Sequence, residues 1–158
     1  MSRRLIEDWL PIAALGEESM RERRSMTALP PIYYLHVWWA RRPLVAARAA
    51  ILASLLPADA DKVRFMHALG IHGDPVAAQH TMAEARRLGV RVENPYGYPR
   101  AFSYNPTSEE ADWVKYEAHR VGIAETPRCL DPTAGGGSIP FESLRLGLNT
   151  YSNDLNPV

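Results

Sequence analysis

The order of apolar and polar positions predicts a mostly helical chain up to about residue 127. The most apolar run, Leu44 to Leu56, follows Pro43, a residue that suits the first turn of a helix. Because this run is apolar almost all round apart from Arg48, we expect a buried helix from Pro43 to about Leu56. The run is too short to cross a bilayer, so no membrane contact is expected.

Start and stop signals mark further helices on both sides of this one. Asp74 followed by Pro75 is a typical helix start, and Gly89 is a typical stop. Thr107 and Glu110 have the spacing of a capping box. Helices are therefore predicted over Leu5–Trp9, Glu17–Arg24, Lys62–Leu69, Asp74–Gly89 and Thr107–Gly122.

Two weaker patterns lie among these helices. The prolines at 30 and 31 favour an extended or turn-like segment from Ala28 to Leu35. The Asp74–Gly89 helix shows only a weak apolar stripe, formed by Val76, Met82, Ala83 and Leu88.

The pattern changes over the last 30 residues. An apolar lead-in, Cys129 and Leu130, ends in Asp131, and a triple glycine at 135–137 then turns the chain. A helix is expected to begin near Ser138, and a second strand to end in Asp154. This order predicts a strand–loop–helix–strand unit with parallel strands, in which the Cys129 thiol is buried.

These elements predict an α/β protein with three segments. We expect a helical N-terminal region over residues 1–57, a helical middle segment over 58–127, and the start of a doubly wound sheet over 128–158. Two strands are too few to close such a sheet. The rest is therefore expected either from a longer chain or from a second polypeptide.

Composition narrows the class of protein further. Apolar residues make up 46% of the chain and its net charge is zero, which disfavours disorder and any global basic field. Residues 20–48 nevertheless hold six arginines and a single acid. The lone cysteine and the absence of a signal peptide indicate a cytoplasmic protein, and the five histidines lack metal-site spacing.

The glycine loop is the segment most suited to binding a ligand. Three glycines let backbone N–H groups approach a bound molecule closely, and the following helix directs its positive end at the loop. Asp154 lies 23 residues after Asp131, near the spacing of about 20 expected for an acid that binds ribose hydroxyls. The alternative is an ordinary turn between a strand and a helix.

The loop favours one class of cofactor over two others. The Gly-Lys-Ser/Thr of a P-loop is absent, and position 140 is a proline where a dinucleotide fingerprint needs a glycine. An acid before the loop would repel a pyrophosphate, but Asp131 would attract a ligand with a positive amino group. S-adenosylmethionine carries an ammonium, a sulfonium and a ribose, and is therefore the expected cofactor.

Several motifs carry a family resemblance. Asp131-Pro-Thr-Ala-Gly-Gly-Gly-Ser-Ile-Pro-Phe-Glu142 resembles the first motif of amino-methylating DNA methyltransferases, and Asn153-Asp-Leu-Asn-Pro157 resembles their following acidic loop. Leu10-Pro-Ile12, Glu18-Ser-x-Arg-Glu22 and Leu35-His-x-Trp-Trp-Ala-Arg-Arg-Pro43 are similar to the N-terminal domain of long bacterial and archaeal adenine-specific DNA methylases. Some of those enzymes are encoded with anti-phage systems. Residues 58–127 share no such resemblance.

This resemblance implies a partial Rossmann-like methyltransferase fold and a set of cofactor-binding residues. Asp131 would lie beside the cofactor's ammonium, the loop beside its methionine part, and Asp154 at its ribose. His36, Trp38 and Arg41 would line the same pocket, although the tryptophans could equally be core anchors and the arginines solvated. The full implied set is Asp131, Pro132, Thr133, Ala134, Gly135, Gly136, Gly137, Asp154, Asn156, His36, Trp38 and Arg41.

No residue of this chain is predicted to be catalytic. The Asp-Pro-Pro-Tyr-type tetrapeptide that positions the target amine in that family does not occur here; Asn94-Pro-Tyr-Gly97 is the nearest string and is interpreted as a turn. We therefore expect the cofactor-binding part of a DNA adenine methyltransferase, inactive alone, that meets DNA through the complete enzyme. The alternatives are a non-catalytic subunit of a defence complex, or an enzyme with another substrate. Arg21, Arg23 and Arg24 could contact DNA phosphates but are better interpreted as a solvated helix face.

Overall fold

The computed structural model describes residues 3–24, 30, 32–35, 38, 41–124 and 126–155. These residues form a mixed α/β structure that is mostly helical, with one small parallel sheet. In chain order the elements are α1 (Leu5–Asp8), α2 (Ile12–Arg23), α3 (Ile32–Leu35), α4 (Leu44–Leu55), α5 (Lys62–Ala68), α6 (Pro75–Leu88), a 3₁₀ turn (Ala101–Ser103), α7 (Ser108–Arg120), β1 (Arg128–Asp131), α8 (Ser138–Arg145) and β2 (Asn149–Ser152).

Helix α4 lies at the centre of the structure, as its apolar sequence predicts. Leu44 and Leu52 are fully buried, and the helix packs against α1, α2, α7 and α8. Burying a leucine side chain contributes about 1.5–3 kcal/mol, which makes this helix a major source of stability. The same core includes Leu5 from α1, Phe65 from α5 and Leu148 before β2, so it draws on all parts of the chain.

Most predicted helix boundaries are confirmed by their caps. The Asp74 carboxylate accepts hydrogen bonds from the first amides of α6, and Gly89 ends that helix in a left-handed conformation with φ 68°. Thr107 and Glu110 form the expected capping box of α7. The predicted stripe of α6 is wrong, because the helix buries the small Ala78 and Ala85 while Leu88 is 64% exposed.

The N-terminal helices differ from the prediction in two places. Helix α2 begins at Ile12, five residues before the expected start, because Pro11 ends the preceding segment and can precede a helix. The segment expected to be extended contains the short helix α3 at Ile32–Leu35, which starts directly after the two prolines. The part of that segment at residues 28, 29 and 31 lies outside the described residues.

The two strands are parallel, with Asp131 opposite Ser152 and α8 as the connection between them. This confirms the predicted strand–loop–helix–strand unit. The described residues contain only these two strands. A Rossmann-like sheet has more strands, so the expected Rossmann-like fold is not established. The Cys129 side chain is half-buried, so the prediction of a buried thiol was too strong. No helix within the described part of the chain is long and apolar enough to cross a membrane.

Candidate functional site

Hydrogen bonds tie the loop after β1 to the end of β2. The Thr133 N–H donates to the Asp131 carboxylate at 3.1 Å, which closes a tight turn at the end of β1. The Ala134 N–H donates to the Asn153 carbonyl and the Asn153 N–H to the Asp131 carbonyl, both at 2.9 Å. The two acidic strand ends are therefore held next to each other.

The glycine loop is packed against Trp38. A Cβ atom on Gly135 would lie 2.7 Å from the Trp38 Nε1, and one on Gly136 would lie 3.4 Å from the Trp38 Cβ. Gly135 also has a φ of 51°, a conformation that side chains disfavour. The tryptophan–arginine motif and the glycine loop, almost a hundred residues apart in sequence, thus meet in one place.

Asp154 reaches the loop from the end of β2. Its Oδ2 accepts a hydrogen bond from the Gly135 N–H at 2.6 Å. Asp131 is buried, with 8% of its surface exposed. Both acids line the same cleft of about 530 Å³, a volume within the usual range of small-molecule sites.

The cleft combines both signs of charge with apolar surface. Its described lining residues are Trp38, Arg42, Asp131, Thr133, Ala134, Gly135, Gly136, Ser138, Ile139, Asp154 and Leu155. Helix α8 starts at this wall, so its positive end adds to the field there. Such a site suits a ligand that carries both positive and negative charge, hydroxyl groups and an apolar face.

Most of the predicted cofactor residues are brought together here. Seven line the cleft, namely Trp38, Asp131, Thr133, Ala134, Gly135, Gly136 and Asp154. Pro132 and Gly137 belong to the same loop without being among its lining residues. His36 and Asn156 lie outside the described residues.

Arg41 and Arg42 take different positions. The Arg41 guanidinium stacks on the Tyr33 ring, 4.8 Å from its centroid, and its aliphatic Cγ lies 3.9 Å from the Cβ position of Gly136. Arg42 lines the cleft instead, and its carbonyl accepts a hydrogen bond from the Ser138 hydroxyl at 2.7 Å. Sequence reasoning missed Arg42, although it stands next to the predicted arginine.

A buried ion pair fixes α8 against α4. The Arg48 Nε lies 2.7 Å from the Glu142 Oε2, and both side chains are completely buried. Arg48 also donates to the carbonyls of Leu69 and Ala101, and Glu142 accepts a second bond from Arg145. A single arginine inside an otherwise apolar helix was the sequence signal for this contact.

The acids of α2 have structural roles. Glu22 accepts hydrogen bonds from the Leu44 N–H at 3.0 Å and the Tyr33 hydroxyl at 2.9 Å, so it caps α4. Glu18 accepts from the Tyr98 hydroxyl at 2.8 Å. Burial raises the pKa of the Glu22 carboxyl, against the opposing effect of its hydrogen bonds.

Arg21 does not belong to a solvated helix face, which corrects the preferred interpretation of the α2 arginines. It donates to the Tyr98 carbonyl at 2.7 Å, and its guanidinium stacks 3.9 Å from the centre of the Tyr96 ring. Arg23 and Arg24 are exposed. Arg21 therefore anchors the loop of residues 94–106 to α2.

Comparison with known proteins gives one family match. A family model described as a protein of unknown function, DUF1156, matches residues 9–71, which is less than half of the chain. The matched segment contains α2, Trp38, Arg42 and α4, but it ends before the glycine loop. No curated protein and no solved structure matches the chain.

Proposed function

We propose that this chain is the S-adenosylmethionine-binding part of a DNA methyltransferase that acts on the exocyclic amine of adenine. The observation that supports this proposal is the cleft at the end of the parallel strands. There, two acids, a glycine-rich loop and Trp38 line a space of about 530 Å³. Ligands of α/β proteins bind at the carboxyl ends of parallel strands, and this cleft occupies that position.

Each wall of the cleft matches one part of the cofactor. The Asp131 carboxylate would attract the ammonium, and Asp154 would accept hydrogen bonds from ribose hydroxyls. Gly135 and Gly136 leave room for the Trp38 side chain to pack on the loop, so the methionine part would lie along the remaining open surface of the loop. Trp38 and Ile139 offer apolar surface to the adenosine. When bound, S-adenosylmethionine would supply the methyl group from its sulfonium.

The choice of DNA adenine rests on the sequence resemblance rather than on the cleft. No string within the 158 residues matches the Asp-Pro-Pro-Tyr type that holds a target amine. A flipped base would therefore need a pocket completed by other residues of an enzyme. On this proposal the chain binds the cofactor, and methyl transfer requires the remainder of the methyltransferase.

Calorimetric titration with S-adenosylmethionine tests the proposal. We expect the wild-type chain to bind and Asp154→Ala to lose most of the affinity. Because Asp154 also holds the Gly135 N–H, Asp154→Asn serves as a second variant, since its amide oxygen can keep that hydrogen bond. Absence of binding by a folded wild-type chain would contradict the proposal.

The ribose contact can be separated from the loop contact by a change of ligand. 5′-Methylthioadenosine and its 2′,3′-dideoxy counterpart differ only in the hydroxyls that Asp154 would bind. If Asp154 contacts them, Asp154→Asn weakens the first ligand more than the second. Equal weakening of both would assign Asp154 to loop structure alone.

A second candidate function is a non-catalytic subunit that docks on another protein. Leu130 and Tyr151 are paired across the sheet and are 71% and 60% exposed. Parallel sheets are normally covered on both faces, so this face favours contact with further polypeptide. Co-expression with the product of the neighbouring reading frame, followed by a methyl-transfer assay, would distinguish an enzyme half from a binding subunit.

A further inference from the structure

The arginine side chains of residues 20–48 differ in their hydrogen bonds, ring contacts and ion pairs. Arg21 donates hydrogen bonds to the backbone carbonyls of Tyr98 and Pro99. The Arg41 guanidinium stacks on Tyr33. Arg48 is committed to its buried pair with Glu142. Arg42 has an exposed side chain and has no ion-pair partner among the described residues. It is also the only basic residue among the described residues that line the cleft.

The backbone of Arg42 is fixed to the start of α8. The Ser138 hydroxyl donates to the Arg42 carbonyl at 2.7 Å, and Ser138 is buried, at 4% exposure. Two residues after Arg42, the Leu44 N–H donates a hydrogen bond to the Glu22 carboxylate. The backbone of the arginine is therefore fixed beside the glycine loop, and its exposed side chain extends from that point.

We infer that Arg42 is the specificity-determining cation of the cleft and binds the carboxylate of the ligand's amino-acid part. A zwitterionic amino acid needs one anionic and one cationic partner, and Asp131 and Arg42 both line this cleft. A guanidinium suits this role because its planar fork can bind a carboxylate through two parallel hydrogen bonds. The inference rests on the proposed function, and it concerns a residue that the family resemblance did not place in the pocket.

The decisive experiment compares two ligands on one set of variants of the whole 158-residue chain. S-adenosylmethionine contains the amino-acid carboxylate, whereas 5′-methylthioadenosine lacks the amino-acid part. We expect Arg42→Ala to weaken S-adenosylmethionine binding by about 10- to 100-fold, the usual effect of losing a charged hydrogen-bond partner. Its affinity for 5′-methylthioadenosine should stay within about twofold of wild type.

Two further variants separate charge from geometry. Arg42→Lys keeps the charge but loses the planar fork, so we expect a smaller loss, of about 3- to 10-fold. Arg87→Ala removes an exposed arginine of α6 and should change neither affinity, because it lies outside the cleft.

The outcomes distinguish this inference from the proposed function. If Arg42→Ala weakens both ligands equally, or neither, the carboxylate role is overturned while cofactor binding stands. If wild type binds 5′-methylthioadenosine but not S-adenosylmethionine, the amino-acid site is likewise overturned. If a folded wild-type chain binds neither ligand, the proposed function fails and this inference fails with it.

Discussion

The entrances of α4 and α8 use similar chemistry for different ends. At α4 the buried Glu22 carboxylate accepts hydrogen bonds from the Leu44 N–H at 3.0 Å, so a protein acid satisfies the helix start. At α8 the N-cap is Gly137, which has no side chain, and the first helical residue, Ser138, lies on the cleft wall. A helix start closed by a buried carboxylate from another helix has a structural role. A helix start whose first residue lines a cleft can accept a ligand.

The two helices are also joined to each other by a buried ion pair. The Arg48–Glu142 pair is fully buried and places α8 directly on α4. Because α8 follows the glycine loop, this pair fixes one side of the cleft. The Arg48–Glu142 pair thus holds the helix near Glu142, while Ser138 and Ile139 of its first turn line the cleft.

The largest expected effect comes from breaking that pair. Arg48→Met leaves the Glu142 charge buried with Arg145 as its remaining cationic partner, and we expect a loss of about 3–5 kcal/mol in the free energy of unfolding. Urea denaturation measures it. The double variant Arg48→Met/Glu142→Leu should recover only part of the loss. It removes the buried Glu142 charge, but Arg145 loses its acidic partner and the carbonyls of Leu69 and Ala101 lose a donor.

A surface pair gives the matched control. Lys115 and Asp112 are 3.3 Å apart, but their side chains are 57% and 76% exposed. Lys115→Ala should therefore cost less than about 1 kcal/mol. A cost for Arg48→Met as small as for Lys115→Ala would show that the pair does not hold α8 in place.

The second prediction concerns the open end of α8. Gly135→Ala would place a Cβ 2.7 Å from the Trp38 Nε1 in a backbone with φ 51°, which we expect to cost about 1–3 kcal/mol. The same substitution should weaken S-adenosylmethionine binding. Denaturation and calorimetric titration of one sample measure both.

Gly16→Ala controls for the chemical change itself. Gly16 lies within α2, and a Cβ there would meet no atom within 4 Å. Alanine should leave binding unchanged and stabilise the helix by up to about 1 kcal/mol. If Gly135→Ala behaves like Gly16→Ala, the close contact between the loop and Trp38 is not important.

Local signals explain which elements could be predicted from the sequence. Asp74, Thr107 and Asp131 each accept a hydrogen bond from a backbone N–H two or three residues further along the chain, so their pattern alone predicts structure. The roles of Arg21 and Arg42 depend on which surface each side chain meets after folding. Tyr96 and Ser138, their partners, lie 75 and 96 residues further along the chain, and no local pattern encodes such pairings.

The buried acids of α2 show the same limit. Glu18 and Glu22 are four residues apart and look like part of an exposed charged helix. Both are 1% exposed, because each meets donors from distant segments. A charged pattern predicts an exposed helix face only where the fold brings no hydrogen-bond donors to the carboxylates. Donors from distant segments cannot be identified from a single sequence.

The smallest predicted effect tests the closed entrance of α4 through pH. Burial raises the pKa of the Glu22 carboxyl above its ordinary value of 4.5, so the native state binds a proton more tightly than the unfolded chain. The stabilising effect of that proton is complete below pH 4.5 and is lost as the pH rises through the native pKa. Glu22→Gln does not titrate, and its amide oxygen can still accept a hydrogen bond from the Leu44 N–H.

We therefore expect the wild type to lose stability relative to Glu22→Gln as the pH rises above 4.5, measured by urea denaturation at a series of pH values. Taking the difference between the two proteins cancels the titration of other groups, and a difference that is constant or rises with pH would contradict the buried position of this carboxylate.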